Sequence, residues 1–354
     1  MYDDNSAALH TYIAEHTSVP LIWIAGDPKL ENKLRSKGFR VLRKNSLAAR
    51  MAVLRAPVLI YSHGEDDLDS FLKYFRKTLG MRVFLGHCHK HLKTSQMTKP
   101  DLDRLSPWQR RKYIFNITRF DLALASSPLE KTHFEEAFAD LSGKVLPFGG
   151  AAHMDRVLEN MQRQPEKVIV WFPTYRNDPK GVEELKGTIQ EVISDTRLIK
   201  YLEEQNFQLE VLCHINSDSS RPDAPSHRLI RFRPPGDVIS ILGRTSCFIS
   251  DYSGLIIDWL AFGRPMIHFP FDEKEYLKTR KLCISLQDLQ FGPMVYSVTD
   301  LVSVLVQNTW RNEKEYADKR KYWVQQIFPD LRPGYAKRCY HAILNMREKF
   351  HEKH

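Results

Sequence analysis

Short apolar runs alternate along this chain with stretches in which apolar residues recur at helical spacing. The strand-like runs fall at residues 21–25, 58–62, 83–86, 122–125, 145–148, 168–172, 209–214, 229–232, 247–250 and 266–269. Helical patterns fill the intervals, among them 29–37, 47–55, 128–139 and 237–242. Strands of about four to six residues that alternate with helices predict an α/β fold of doubly wound parallel sheets.

A length of 354 residues exceeds the usual reach of one hydrophobic core. The polar run 156–167, with Gln162, Gln164 and Pro165, separates two strand–helix series. The expected division is a first domain at 1–155, a second at 156–320, and a charged helical segment at 321–354 that returns toward the first. A hydrophobic share of 42% and a charged share of 27% belong to an ordinary folded chain, so charge balance carries more information. Fifty-two Lys and Arg against 43 acids leave a net charge of +9, which points to an anionic partner. No basic low-complexity arm, RNA-recognition aromatic signature or Cys/His finger is present, which argues against nucleic acid. The five cysteines are scattered and include no Cys-x-x-Cys pair, so neither a disulfide framework nor a zinc knuckle is suggested. Without a signal-like start or an apolar run of about 18–20 residues, the expected location is cytoplasmic, with peripheral contact at the inner face of the membrane.

In open parallel sheets ligands bind beyond the carboxyl ends of the strands, so the segments just after strands are where chemistry belongs. Four stand out. Gly86-His87-Cys88-His89-Lys90-His91-Leu92-Lys93 crowds three histidines and two lysines behind a strand. His87, nearest the strand end, is the candidate general base, and Lys90 and Lys93 suit phosphate oxygens. Histidines at alternate positions also invite a metal reading, but no carboxylate or Cys/His partner stands nearby, so no metal ligand is assigned. In Phe172-Pro173-Thr174-Tyr175-Arg176 a strand end presents an arginine fork and a hydroxyl, both suited to phosphate; a plain surface turn is the competing reading. His214 closes an apolar strand, either as a structural residue or facing ligand. Finally, Ser250-Asp251-Tyr252-Ser253-Gly254 opens a helix that carries Asp258 one turn on. Free N–H groups at such a start seat a phosphate, or else Asp251 or Ser253 is an ordinary cap. Asp272, in Phe271-Asp272-Glu273-Lys274-Glu275-Tyr276, either accepts polyol hydroxyls or caps a helix.

These segments, in this order, resemble the CDP-glycerol glycerophosphotransferase family of teichoic-acid primases and polymerases. Phe84-Leu85-Gly86-His87 and Lys93 are similar to its Phe-Leu-Gln-His-Gly…Phe-Lys stretch, and Gly150 through Arg156 to its Gly-x-Pro-Arg-x-Asp segment. Pro173-Thr174-Tyr175-Arg176 is similar to its Pro-Thr-[Tyr/Trp]-Arg. The block Asp251-Tyr252-Ser253, Asp258, Pro265, Asp272 and Tyr276 is the most specific part. Cys88, Gly254 and His153 depart from the family pattern, replacing a glycine, a serine and an arginine.

The resemblance implies a GT-B architecture of two Rossmann-like domains with the active site in the cleft. It implies CDP-glycerol as donor, a glycan or lipid-linked acceptor, release of CMP, and no cofactor or obligate metal. His87 and His214 are then the catalytic histidines. Lys93, Thr174, Arg176, Asp251, Ser253, Gly254, Asp258 and Asp272 are then the substrate-binding residues. Transfer from CDP-ribitol, or of a sugar by a GT-B glycosyltransferase, is the near alternative; a non-catalytic basic protein that binds nucleic acid or membrane is the far one. The basic, aromatic-rich stretches at 310–321 and 335–354 are the expected membrane-facing surface.

Overall fold

The computed structural model describes residues 4–70, 80–87, 89, 91–92, 105–111, 120–137, 144–146, 150–176, 178–213, 227–234, 236–280 and 282–351. The chain divides into two units, Met1–Arg156 with Ile327–His354, and Val157–Gln326.

In the first unit, β1 (Trp23–Ala25) pairs in parallel with β2 (Val41–Arg43). A second parallel sheet runs in the order β3 (Val58–Tyr61), β4 (Met81–Phe84), β5 (Leu122–Leu124), β6 (Val145–Leu146). The sequence pattern did not predict β2: it holds only Val-Leu-Arg, and only Val41 is buried. Helices Asp4–His16 and Tyr335–His351 pack together, the latter also against β4. Their apolar faces (Leu9, Ile13, Ala336, Cys339, Ile343) share one core with Met81, Val83 and Leu122. Asp155 holds the last helix in place, its carboxylate accepting the N–H groups of Gly334, Tyr335 and Ala336 at 2.7, 2.9 and 2.9 Å. Three otherwise orphan donors at a helix start are thereby satisfied by one anion.

The second unit is a five-stranded, wholly parallel sheet in the order β11 (Met266–His268), β10 (Cys247–Ser250), β7 (Val168–Phe172), β8 (Gln208–Leu212), β9 (Ile230–Arg233). Strands β7, β8, β10 and β11 are buried almost throughout, as in a sheet covered by helices on both faces, whereas the edge strand β9 buries only Ile230. Helices Pro179–Ser194, Thr196–Gln205 and Val298–Val306 contribute Leu185, Ile189, Leu198, Leu202, Leu301 and Val302 to its largest core. The chain leaves β7 toward β8 and β9, then returns to lay β10 on the other side of β7. Strand order therefore reverses between β7 and β10, and their carboxyl ends flank the place where such a sheet receives ligands. The predicted strand 209–214 ends at Leu212, and His214 lies outside the described residues. Among the described residues no helix is long and apolar enough to cross a membrane.

Candidate active site

Beyond the carboxyl ends of β7 and β10 lies a buried cluster of charged groups. Arg176, four residues past β7, is 4% exposed. Its Nε and Nη2 donate to Asp272 Oδ2 and Oδ1 at 2.6 and 2.8 Å, and Nη2 donates also to Asp251 Oδ2 at 2.9 Å. Nη1 donates to the Thr174 carbonyl. Asp251, the first residue after β10, accepts from Thr174 at both N–H and Oγ1 (2.8 and 2.6 Å) and from the Tyr252 N–H. The phenol of Tyr252 donates to Asp272 at 3.1 Å and its ring stacks on Tyr276, centroids 3.7 Å apart. The guanidinium carbon lies 5.1–5.3 Å from the ring centres of Tyr252, Phe271 and Tyr276. Burial opposes the arginine's charge, but Asp251 and Asp272 outweigh it and raise its pKa above the ordinary value. Burial, with Asp272 and Asp251 beside it, likewise pushes the Tyr252 phenol up, so it stays protonated and donates.

Four of the predicted binding residues thus engage one another. The fork of Arg176 is occupied by carboxylates rather than held out for phosphate, and the Thr174 hydroxyl is spent on Asp251. Asp272 is buried at the N-cap of helix Glu273–Thr279, but its carboxylate makes no cap hydrogen bond there and is instead one arm of an ion-pair network. Asp251 is the hub that ties the two strand ends together. Local sequence shows a charged residue after a strand but not its partner 75 or 96 residues away.

What this network supports is the start of helix Leu255–Phe262. Gly254 sits at its N-cap without a side-chain cap. The helix ends at Gly263 in the left-handed region, φ +65°, a conformation that favours glycine. Ser253, largely buried, accepts the Leu255 N–H at 3.2 Å and so shapes the turn. Asp258 is buried within the helix.

In the first unit, His87 follows β4 with its side chain half exposed. Its Nδ1 lies 2.6 Å from Asp4 Oδ2, and the His63 ring stacks on it at 4.8 Å. Asp4 Oδ1 reaches toward His153 Nδ1 at 3.6 Å. Asn5 accepts from His153 and donates to the Gly86 carbonyl at 3.2 Å, which fixes the loop that presents His87. A carboxylate on one imidazole nitrogen favours the tautomer that leaves the other as a proton acceptor. Sequence reasoning gave no role to Asp4, because nothing local links it to a loop 83 residues on. Lys93 and His214 lie outside the described residues.

Two of the five aromatics in the expected membrane-facing stretches are core residues, and Tyr316, Tyr340 and Phe350 are half-buried. Trp310 and Tyr335 are buried, at 4% and 6% exposure.

A family model described as CDP-Glycerol:Poly(glycerophosphate) glycerophosphotransferase matches residues 1–344. The chain belongs to this family. It is similar to the teichoic acid ribitol-phosphate polymerase TarL of Staphylococcus aureus, 26% identical over 217 residues, covering 56% of this chain and 38% of the relative. It also matches the teichoic acid glycerol-phosphate transferase of that organism, 22% identical over 351 residues, covering 95% and 87%. The chain spans only about two fifths of the length of TarL and TarK. Among solved structures, the wall teichoic acid polymerase TagF aligns over 99% of this chain and 87% of its own, with a TM-score of 0.74 at 17% identity. The fold is thus the α/β, GT-B-like fold of TagF.

Proposed function

We propose that this protein transfers glycerol phosphate from CDP-glycerol to a hydroxyl of a teichoic-acid-like or capsule-like acceptor and releases CMP. The observation that carries the reading is the His87–Asp4 pair, on the loop whose sequence resembles the family's histidine motif. The acceptor hydroxyl gives its proton to His87 as its oxygen attacks the phosphorus that bears glycerol. A new P–O bond forms, the pyrophosphate P–O bond breaks, and CMP leaves with the electron pair. The carboxyl ends of β7 and β10 and the N–H groups near Ser253 and Gly254 seat the pyrophosphate. Arg176, Asp251 and Asp272 hold that seat in place rather than touch the donor. Lys93 and His214 are further proposed contacts, carried over from the family motif. The net charge of +9 suits an anionic acceptor and peripheral membrane contact.

Replacing His87 by alanine is expected to lower CMP release by about 10²–10⁴-fold while CDP-glycerol binding persists, as loss of a general base requires. Near-normal turnover in that variant would remove the base assignment. The polymerases TarL and TarK, named for ribitol phosphate, are as similar as any relative given above, which favours CDP-ribitol as the second reading. Parallel incubations with the two donors, read by chromatography of CMP and mass spectrometry of the product, separate them. Release of a nucleoside diphosphate from a nucleotide sugar would instead indicate glycosyl transfer.

A further inference from the structure

The family motif accounts for His87 but not for His89 and His91, and an extended loop would point all three the same way. The fold separates them. The His87 side chain is 51% exposed, whereas His89 and His91 are 2% and 0% exposed. Both inward rings meet Glu130, in the first turn of helix Pro128–Ala137 and itself 5% exposed. One possible ligand atom from each of His89, His91 and Glu130 lies within 4.8 Å of the other two. His91 Nδ1 and Glu130 Oε1 are 4.0 Å apart, and the two ring centres 5.6 Å.

The surroundings hold these groups in orientation. Ser127 Oγ lies 2.7 Å from His91 Nε2, and Ser126 Oγ 3.4 Å from His89 Nδ1. The Ser126 N–H and hydroxyl both donate to Glu130 Oε2, at 2.5 and 2.8 Å, which leaves Oε1 toward His91. His133, one turn further along the helix, hydrogen-bonds the His91 backbone. Outer hydroxyl partners that fix ring orientation are what metal-ligating histidines have.

We infer that His89, His91 and Glu130 form a binding site for a zinc-like divalent cation. Two imidazole nitrogens and one carboxylate oxygen suit zinc; calcium and magnesium favour all-oxygen sites. Ligand bonds of about 2.0–2.2 Å require the three atoms to close by roughly an ångström, within reach of side-chain rotation. Glu130 supplies the carboxylate that the local sequence around the histidines lacks. The cation's work is structural: it pins the His87 loop to the start of helix Pro128–Ala137.

The test uses the full chain stripped with a chelator, then loaded with Zn²⁺ or Co²⁺ and passed over a sizing column. The expected result is one zinc retained per chain and visible ligand-field bands with cobalt. Glu130→Gln should weaken Zn²⁺ binding by at least tenfold, and His87→Ala should leave it intact. Should Glu130→Gln fail to fold, Ser126→Ala, which loosens the outer contact, is expected to weaken binding about 10–100-fold. A folded wild-type chain that retains neither metal overturns the site. So does a folded Glu130→Gln chain that binds zinc as tightly as the wild type, because the metal then sits elsewhere.

Discussion

Arg176 decides how the second unit's site holds together. It is a cation with little water around it, chelated by two carboxylates from two different loops and enclosed by three aromatic rings. A lysine keeps the charge but has no planar fork, so it satisfies one carboxylate oxygen and leaves others buried and unmatched. Breaking one partner of a buried pair typically costs about 3–5 kcal/mol. Arg176→Lys is therefore expected to lower the urea midpoint clearly and to weaken donor binding through the displaced loops. Equal stability of Arg176→Lys and wild type would show the network to be ornamental. The residues themselves are legible from sequence, since Thr174, Arg176, Asp251 and Asp272 all follow strand ends. Their roles are not, because a strand-end arginine offered to phosphate and one spent on carboxylates look identical until the partners are known. Asp4 was illegible for the same reason in a stronger form, since its meaning lies wholly in a distant histidine.

At the level of elements, the parallel strands were legible because burial on both faces makes their sequences continuously apolar, and Val168–Phe172 and Cys247–Ser250 were placed to the residue. The edge pair was harder: β2 buries a single side chain and carries no pattern. Long-range capping was beyond local reading as well. Asp155 lies in the motif segment similar to the family's, yet its carboxylate serves a helix whose first residues follow some 180 positions later. Losing a cap costs about 0.5–2 kcal/mol. Asp155→Ala should sit at the upper end, because three N–H groups lose their acceptor together. The expected consequence is faster amide exchange at Tyr335 and Ala336 and a lower melting temperature. Unchanged protection at those amides would mean that packing of Ala336, Cys339 and Ile343 alone fixes the helix.

For the whole molecule, each unit contains a histidine that is buried and held neutral. Burial lowers His10 to about 4, in the first unit. Burial, with Lys319 nearby, lowers His268 to about 3, at the end of β11 in the second. His268 Nε2 accepts the Phe291 N–H at 3.4 Å, so its proton belongs on Nδ1. In the unfolded chain both rings take up a proton near the ordinary 6.5. Below that pH the unfolded state binds protons that the folded state refuses, and stability falls as the pH falls, until the folded values of about 4 and about 3 are reached. The stabilisation is complete above the unfolded value and is lost on acidification. For His268 the slope is about 1.4 kcal/mol per pH unit. His268→Gln, whose amide oxygen can still accept from Phe291, removes that proton from the balance. Urea midpoints of the two chains, followed from neutral pH down toward about pH 4.5, should converge or cross as the wild type loses stability faster. Parallel curves would mean that His268 is protonated in the folded chain and that the acid sensitivity of this fold arises from its carboxylates.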